Sequence, residues 1–276
     1  MFDREKWGEV FQSIGKNKLR VVLTGFAVFW GILMLIILLG AGAGLRNGFS
    51  YNFRNTATNS IRIWGNETSK PWKGFQPNRQ IVLEEADIEA LRNAIPGIQH
   101  ISGQYSVWRG QSKLQYGKNS GSFGIRGIEP QYQYLQHQRI LKGRFINEVD
   151  QVQDRKVIVI AQDVVDELFK EEEPLHKWIN VNGIPFEVVG LYAFETGGME
   201  RGQRSPVFIP LSAAQKVFNA KGTVDDITFS FADASIAGAK QAEQRAIHTL
   251  ARRHDFDPTD ERALWVNNNV ENVGTI

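Results

Sequence analysis

Side chains able to do chemistry are plentiful in this chain, but their spacing does not assemble a reaction. The five histidines, His100, His137, His176, His248 and His254, are scattered, and none pairs with another at i+3 to i+5 as a zinc site on one helix requires. His254-Asp255, close to Asp257 and Asp260, is the best metal candidate, and it competes with a solvated loop that ends a helix. There is no cysteine, which removes disulfides, thiolate metal sites and cysteine nucleophiles together. A phosphate-cradling G-x-x-x-x-G-K-[ST] loop is missing, so ATP hydrolysis, if relevant, belongs to another polypeptide. The glycine-rich stretch from Gly117 to Gly127 reads as a hairpin. No G-x-S-x-G elbow presents a serine. Glu171, Glu172 and Glu173 before Pro174 read as a charged loop, and Glu84, Glu85 and Asp87 as the acidic first turn of a helix. We therefore expect no catalytic, cofactor-binding or metal-binding residue.

The elements that would hold these residues begin with a membrane segment. Hydrophobic residues at 42% and a formal charge of +2 fit a folded chain and give no reason to propose nucleic acid as a partner. From Val21 to Leu45 the chain carries no charge, between Arg20 and Arg46. About 20 apolar residues cross roughly 30 Å of hydrocarbon, so this run predicts a transmembrane helix. Its apolar core is too long, and starts too far into the chain, for a cleaved signal peptide. Arg4, Lys6, Lys16, Lys18 and Arg20 precede the run, against Arg46, Arg54 and Arg62 after it, which places the N-terminus in the cytoplasm. Lys16, Lys18, Arg20 and Arg46 are the flanking basic residues. Trp7, Val10, Phe11 and Ile14 recur at i, i+3, i+4, i+7, the pattern of an amphipathic helix in the cytoplasmic interface; the competing reading is a plain extension of the membrane helix. Trp72 lies in a stretch, Ser69 to Pro77, with no strand or helix period, and is a candidate contact for a partner.

After Ser60 the periods change in order. Ile61 and Ile63 alternate with polar neighbours, Ile88, Leu91 and Ile95 recur at helical spacing, and Ile98 to Trp108 reads as a strand. Ile227, Phe229 and Phe231 then alternate, Ala239, Ala242, Ala246 and Leu250 form a helical stripe, and Ala263 to Val266 predicts a short strand. Two strand-helix-strand units predict an α+β, ferredoxin-like split βαβ sandwich with both helices on one face. Between them lies an insertion of many short strands: Lys156 to Ala161 leading into a helix through Phe169, a hairpin from Ile179 to Tyr192 turning at Asn182-Gly183, and a strand from Val207 to Ile209 with Ser212 as a helix cap.

The order Asn17-Lys18-Leu19-Arg20, Leu23-Thr24, Gly42-Ala43-Gly44-Leu45-Arg46, Gly143-Arg144-Phe145, Lys156 to Phe169, Ile179 to Leu191 and Val207-Phe208-Ile209-Pro210-Leu211 resembles the macrolide-exporter type of ABC transporter permease, MacB-like or FtsX-like, along nearly the whole chain. The resemblance implies a cytoplasmic amphipathic segment over 1–20, a transmembrane helix over 21–45 and a periplasmic core domain over 46–276 in the bacterial inner membrane. Within that domain it implies a porter-like part (51–103 and 224–270) and a sabre-like, β-rich insertion (104–223). It also implies a cytoplasmic ABC ATPase as partner, a homodimer or paired permease, and room for a periplasmic adaptor. The chain departs from the family in having no second hydrophobic run after Asn267, so a truncation or fragment is expected, and in His176 where glycine is common. The function implied is a non-catalytic permease subunit of a mechanically coupled transporter. The alternative is a single-pass receptor or assembly factor with an outer ligand-binding domain.

Overall fold

The computed structural model describes residues 18–53, 59–107, 112–136, 138–194, 204–233 and 235–270. Trp7, Val10, Phe11, Ile14 and Lys16 lie outside the described residues, as do Trp108, His137 and the side chain of Arg46. Two units are compact by themselves, the chain up to Asn52 and the chain from Phe53 onward.

The first unit contains helix α1 (Lys18–Phe53). Its stretch from Lys18 to Ala41 is long and apolar enough to cross a membrane. Phe26, Phe29, Ile32 and Leu38 are all exposed, so apolar side chains point outward all round, and a helix of that kind suits lipid rather than a one-sided core. Phe26 stacks on Trp30 one turn later, and Thr24 Oγ1 donates to the Arg20 carbonyl at 2.8 Å, which hides its hydroxyl within the helix. The helix continues through Arg46 to Phe53, beyond the apolar run.

The second unit is built on one twelve-stranded sheet. Its first part consists of β1 (Ser60–Gly65), helix α2 (Glu85–Ala94), β3 (Ile98–Val107), β13 (Asp226–Phe231), helix α7 (Ile236–His254) and β14 (Leu264–Asn268). The strands lie in the order β14-β1-β13-β3, all neighbours antiparallel, which is the ferredoxin-like arrangement expected from the two strand-helix-strand units. Ile88 and Leu91 of α2 pack with Ala239, Ala242, Ala246 and Leu250 of α7 on Ile61, Ile63, Ile101, Ile227 and Phe229. Small alanines let α7 sit close to the sheet, and the alternation in the strands sends every second side chain into this core. A capping box between Glu84 and Asp87 starts α2; Ser235 Oγ accepts from Gly238 N–H to start α7. At the other end of α7, Asp255 is left-handed and the Arg79 guanidinium donates to the His254 and Asp255 carbonyls. A separate two-stranded ladder pairs β2 (Leu83–Glu84) with β12 (Thr223–Val224).

The rest of the sheet comes from the insertion: β4 (Lys113–Tyr116), β5 (Asn119–Ser122), β6 (Ile125–Ile128), β7 (Gln138–Gly143), β8 (Val157–Ala161), β9 (Trp178–Val181), β10 (Ile184–Phe194) and β11 (Val207–Pro210). These continue the order as β6-β11-β8-β10-β9-β4-β5, with β7 on β10. Helices α3 (Tyr132–Leu135), α4 (Glu148–Val152), α5 (Gln162–Leu168) and α6 (Leu211–Val217) connect them. β9 and β10 form the expected hairpin, with Asn182 (φ 49°) and Gly183 (φ 90°) in a two-residue turn that matches the twist of the strands. Every residue of β8 is buried because both faces are covered, by a core with Val164, Leu168 and Phe186 on one side and by Tyr132, Phe145, Tyr192 and Phe208 on the other.

Three local expectations need correction. Gly117 to Gly127 is not one hairpin: the chain turns at Gly117, pairs β4 with β5, and then enters β6, which pairs with β3 and β11. Ser212 does not cap α6, because Pro210 precedes the helix and the Ser212 hydroxyl donates to the Gln151 carbonyl instead. The strand expected from Ala263 begins one residue later, at Leu264, and runs to Asn268.

Candidate functional site

The two parts of the sheet are joined within a strand rather than through a loop. β3 is ten residues long. From Ile98 to Gln104 it pairs with β13, and from Gln104 to Val107 it pairs with β6 on its other side. Below Gln104 the edge that β6 has left is covered by side chains. Gly103 N–H donates to Glu129 Oε2 at 2.9 Å, Ile101 N–H donates to Gln131 Oε1 at 3.0 Å, and Glu129 N–H donates to Ser102 Oγ at 3.2 Å. Side-chain oxygens thus stand in for the carbonyls of a missing strand, which satisfies amides that burial would otherwise leave unpaired. Burial pushes the Glu129 carboxyl up to about 7; the Gly103 amide and Arg92 pull it down, while Glu85 and Glu148 push it up.

Across the joint, on the face away from α2 and α7, lies a buried polar lattice. Arg62 of β1 makes a two-pronged pair with Asp226 of β13, at 2.9 and 2.8 Å. Gln104 Nε2 of β3 donates to Asp226 Oδ2 at 3.2 Å and to Ser106 Oγ at 2.9 Å. Asp225 Oδ2 accepts from Ser106 N–H at 2.6 Å, and its own N–H donates to the Gln104 carbonyl. Three strands are therefore cross-tied where the partner of β3 changes. Helix α6 covers the opposite face: Leu211 packs in the first core and Ala213 and Ala214 in the second, with Tyr105 of β3 against both. Gly127 of β6 admits α6 closely, since a Cβ there would lie 2.3 Å from Ala214 Cβ.

The residues around His254, the best metal candidate of the sequence, form hydrogen bonds within the protein. His254 Nε2 lies 2.7 Å from Asp87 Oδ2, and Arg253 Nε donates to Asp87 Oδ1 at 2.5 Å. Asp87 is fully buried; despite that burial, His254, Arg253 and the Glu84 amide hold its carboxyl below the ordinary range. Asp257 accepts from Thr259, and Asp260 from Ser69, Lys70 and Arg262. Among the described residues no group of three or more histidines and acids is placed to hold a metal ion. Lys18 and Arg20 are exposed at the start of α1. Trp72 is half-buried: its backbone pairs with Phe75, and its side chain lines a recess with His248, Arg252 and Phe256 beside the end of α7.

The joint residues were not legible as a site. Asp226 and Thr228 occupy polar positions of an alternating strand, which reads as a wet face, yet both are buried, and helix α3 packs on β3 and β13 there.

The model of the MacB-like periplasmic core domain matches residues 21–246. The chain belongs to that family. The macrolide export ATP-binding/permease protein MacB of Chlorobaculum tepidum is 27% identical over 256 residues, covering 92% of this chain and 38% of that protein. The uncharacterized ABC transporter permease YvrN of Bacillus subtilis is 29% identical over 203 residues, covering 72% of this chain and 47% of that one. The chain thus spans less than half the length of these relatives. The crystal structure of the periplasmic region of MacB from Actinobacillus actinomycetemcomitans shares the fold, with a TM-score of 0.63 at 22% identity over 81% of this chain and 95% of that one. For a MacB-like core domain, the ferredoxin-like quartet and its β-rich insertion are the expected parts, and the shared strand β3 is what unites them here.

Proposed function

We propose that this chain is the N-terminal portion of a non-catalytic permease subunit, whose outer domain passes on motion driven by a cytoplasmic ABC ATPase to promote export or extraction of a substrate. In this reading α1 crosses the bacterial inner membrane with Lys16, Lys18 and Arg20 in the cytoplasm, and the residues after Arg46 lie outside. Two copies, or a pair of related permeases, work together with the ATPase, and a periplasmic adaptor is a further partner. The outer domain divides into a porter-like part (51–103 and 224–270) and a sabre-like part (104–223).

The observation that carries the proposal is the mechanical continuity of the outer domain. A domain that closes on a ligand needs a hinge, usually a few loop residues that absorb large backbone changes. Here the two parts share β3, its freed edge is held by Glu129 and Gln131, and three strands are cross-tied through Asp226. Such a joint transmits displacement and resists bending, as a coupling element should.

The test uses the chain within its full-length gene product. Single cysteines placed in this cysteine-free sequence at Lys118 and at Lys6 should react, in intact cells, from outside and from inside respectively. An ATPase should co-purify, and Gly127→Val, which wedges the joint, should lower ATP-dependent transport while leaving ATP binding by the partner intact. Labelling of Lys118→Cys from the cytosol, or transport unaffected by Gly127→Val, would sink the proposal.

A further inference from the structure

The insertion carries a groove of about 870 Å³, on the opposite face of its sheet from α5, that the coupling role does not use. That volume lies within the roughly 300–1,000 Å³ common for small-molecule sites. The strands fix its floor. Trp178 of β9 stands opposite Glu187 of β10, which in turn stands opposite Val157 of β8, so these three form a row across the sheet. Val157 and Val189 are buried and form an apolar base with Pro185 beside them, while the Trp178 indole is 56% exposed and forms one wall.

The rim of the groove is basic and its charges do not balance. Arg144, Arg155 and Lys156 all line it. The only carboxylate behind the two arginines among the described residues is Asp150, which is fully buried; it receives Arg144 at 2.5 and 3.1 Å and lies 3.9 Å from Arg155. Two guanidiniums therefore share one negative charge, and Lys156 makes no ion pair among the described residues. Of the other two acids of the groove, one is ion-paired and one keeps its charge. Asp154 pairs with Lys216, and Glu187 lies 2.9 Å from His176 Nδ1. With Glu187 still anionic beside a neutral imidazole, about one positive charge is left facing solvent beside an exposed indole. Guanidinium and ammonium groups of this kind meet oxyanions, and an indole face offers a stacking platform for a flat apolar body.

We infer that this groove is a binding site for an anionic amphiphile, a molecule with a carboxylate, sulfonate or phosphate at one end and a planar apolar body. The oxyanion meets Arg155 and Lys156, and the body lies on Val157 and Val189 against Trp178. This assignment stands apart from the permease reading, because it rests on the face of the insertion and not on the joint.

Titration calorimetry of the full chain in detergent with 2-naphthalenesulfonate as probe tests it. One saturable site is expected, with affinity falling at least about tenfold on Arg155→Glu with Lys156→Glu, on Trp178→Ala, and on raising sodium chloride from about 50 to about 300 mM, where charges are screened. The milder Arg155→Gln with Lys156→Gln pair, at exposed positions, should weaken binding in the same direction, and circular dichroism should show all variants folded. The inference falls if uncharged 2-naphthol binds as well as the sulfonate, if sulfate alone binds as tightly, or if the variants bind like the parent chain. Sensitivity to the charge changes with none to Trp178→Ala would leave a bare anion site and would also overturn it.

Discussion

Glu129 carries a cost that comes from its burial. Its carboxyl titrates near 7 in the folded domain and near 4.5 when unfolded, so the folded state holds the proton more tightly. Stability from this group is complete below about pH 4.5, declines as pH rises toward 7, and is level above. Glu129→Gln keeps an oxygen for the Gly103 amide and removes the charge. It should raise stability at pH 8 by about 3 kcal/mol and leave it nearly unchanged near pH 4.5, as read by urea unfolding followed through tryptophan fluorescence. Equal gains at both pH values would show that the carboxylate is not strained by burial. Asp87 has the opposite sign. With its carboxyl held below the ordinary range by His254 and Arg253, it stabilises the fold at neutral pH, and that stability is lost as pH falls through and below about 4. Asp87→Ala should cost about 3 kcal/mol at pH 7, since Arg253 and His254 lose their partner, and the deficit should shrink toward pH 3.

At the scale of elements, turns and close contacts decide what can change. Gly183 sits at φ 90° with nothing within 4 Å of where a Cβ would be, so only backbone conformation resists a side chain there. Gly183→Ala should destabilise the β9–β10 hairpin by about 1 kcal/mol, whereas Lys118→Ala, in an open turn, should be close to neutral in the same melts. The periodic elements were readable in advance, for a physical reason. Ile61, Ile63, Ile227 and Phe229 alternate because one face of their sheet is covered by helices, and Ala239 through Leu250 form a stripe because α7 has one dry side. The joint was not readable, because Glu129 and Gln131 replace a strand with side chains, and nothing in their local pattern records which amide they face. The same holds for Asp226: an acid in an alternating strand gives no sign of whether the polar face is wet.

At the scale of the molecule, a twelve-stranded sheet that runs through both parts of the core domain should unfold as one body. Chemical unfolding of residues 53–276 should give a single transition, coincident by circular dichroism and by tryptophan fluorescence. Two separated transitions would mean that the parts are independent and that β3 does not unite them. The shared strand also bears on recombination between relatives. An exchange of the insertion alone, cut at the ends of β4 and β11, would pair a foreign β6 with the resident half of β3 and leave Gly103 and Ile101 facing borrowed side chains at the positions of Glu129 and Gln131. Chimeras should therefore be viable only when β3, β6 and the segment through Gln131 travel as one block, and natural variation at those three places should be inherited together.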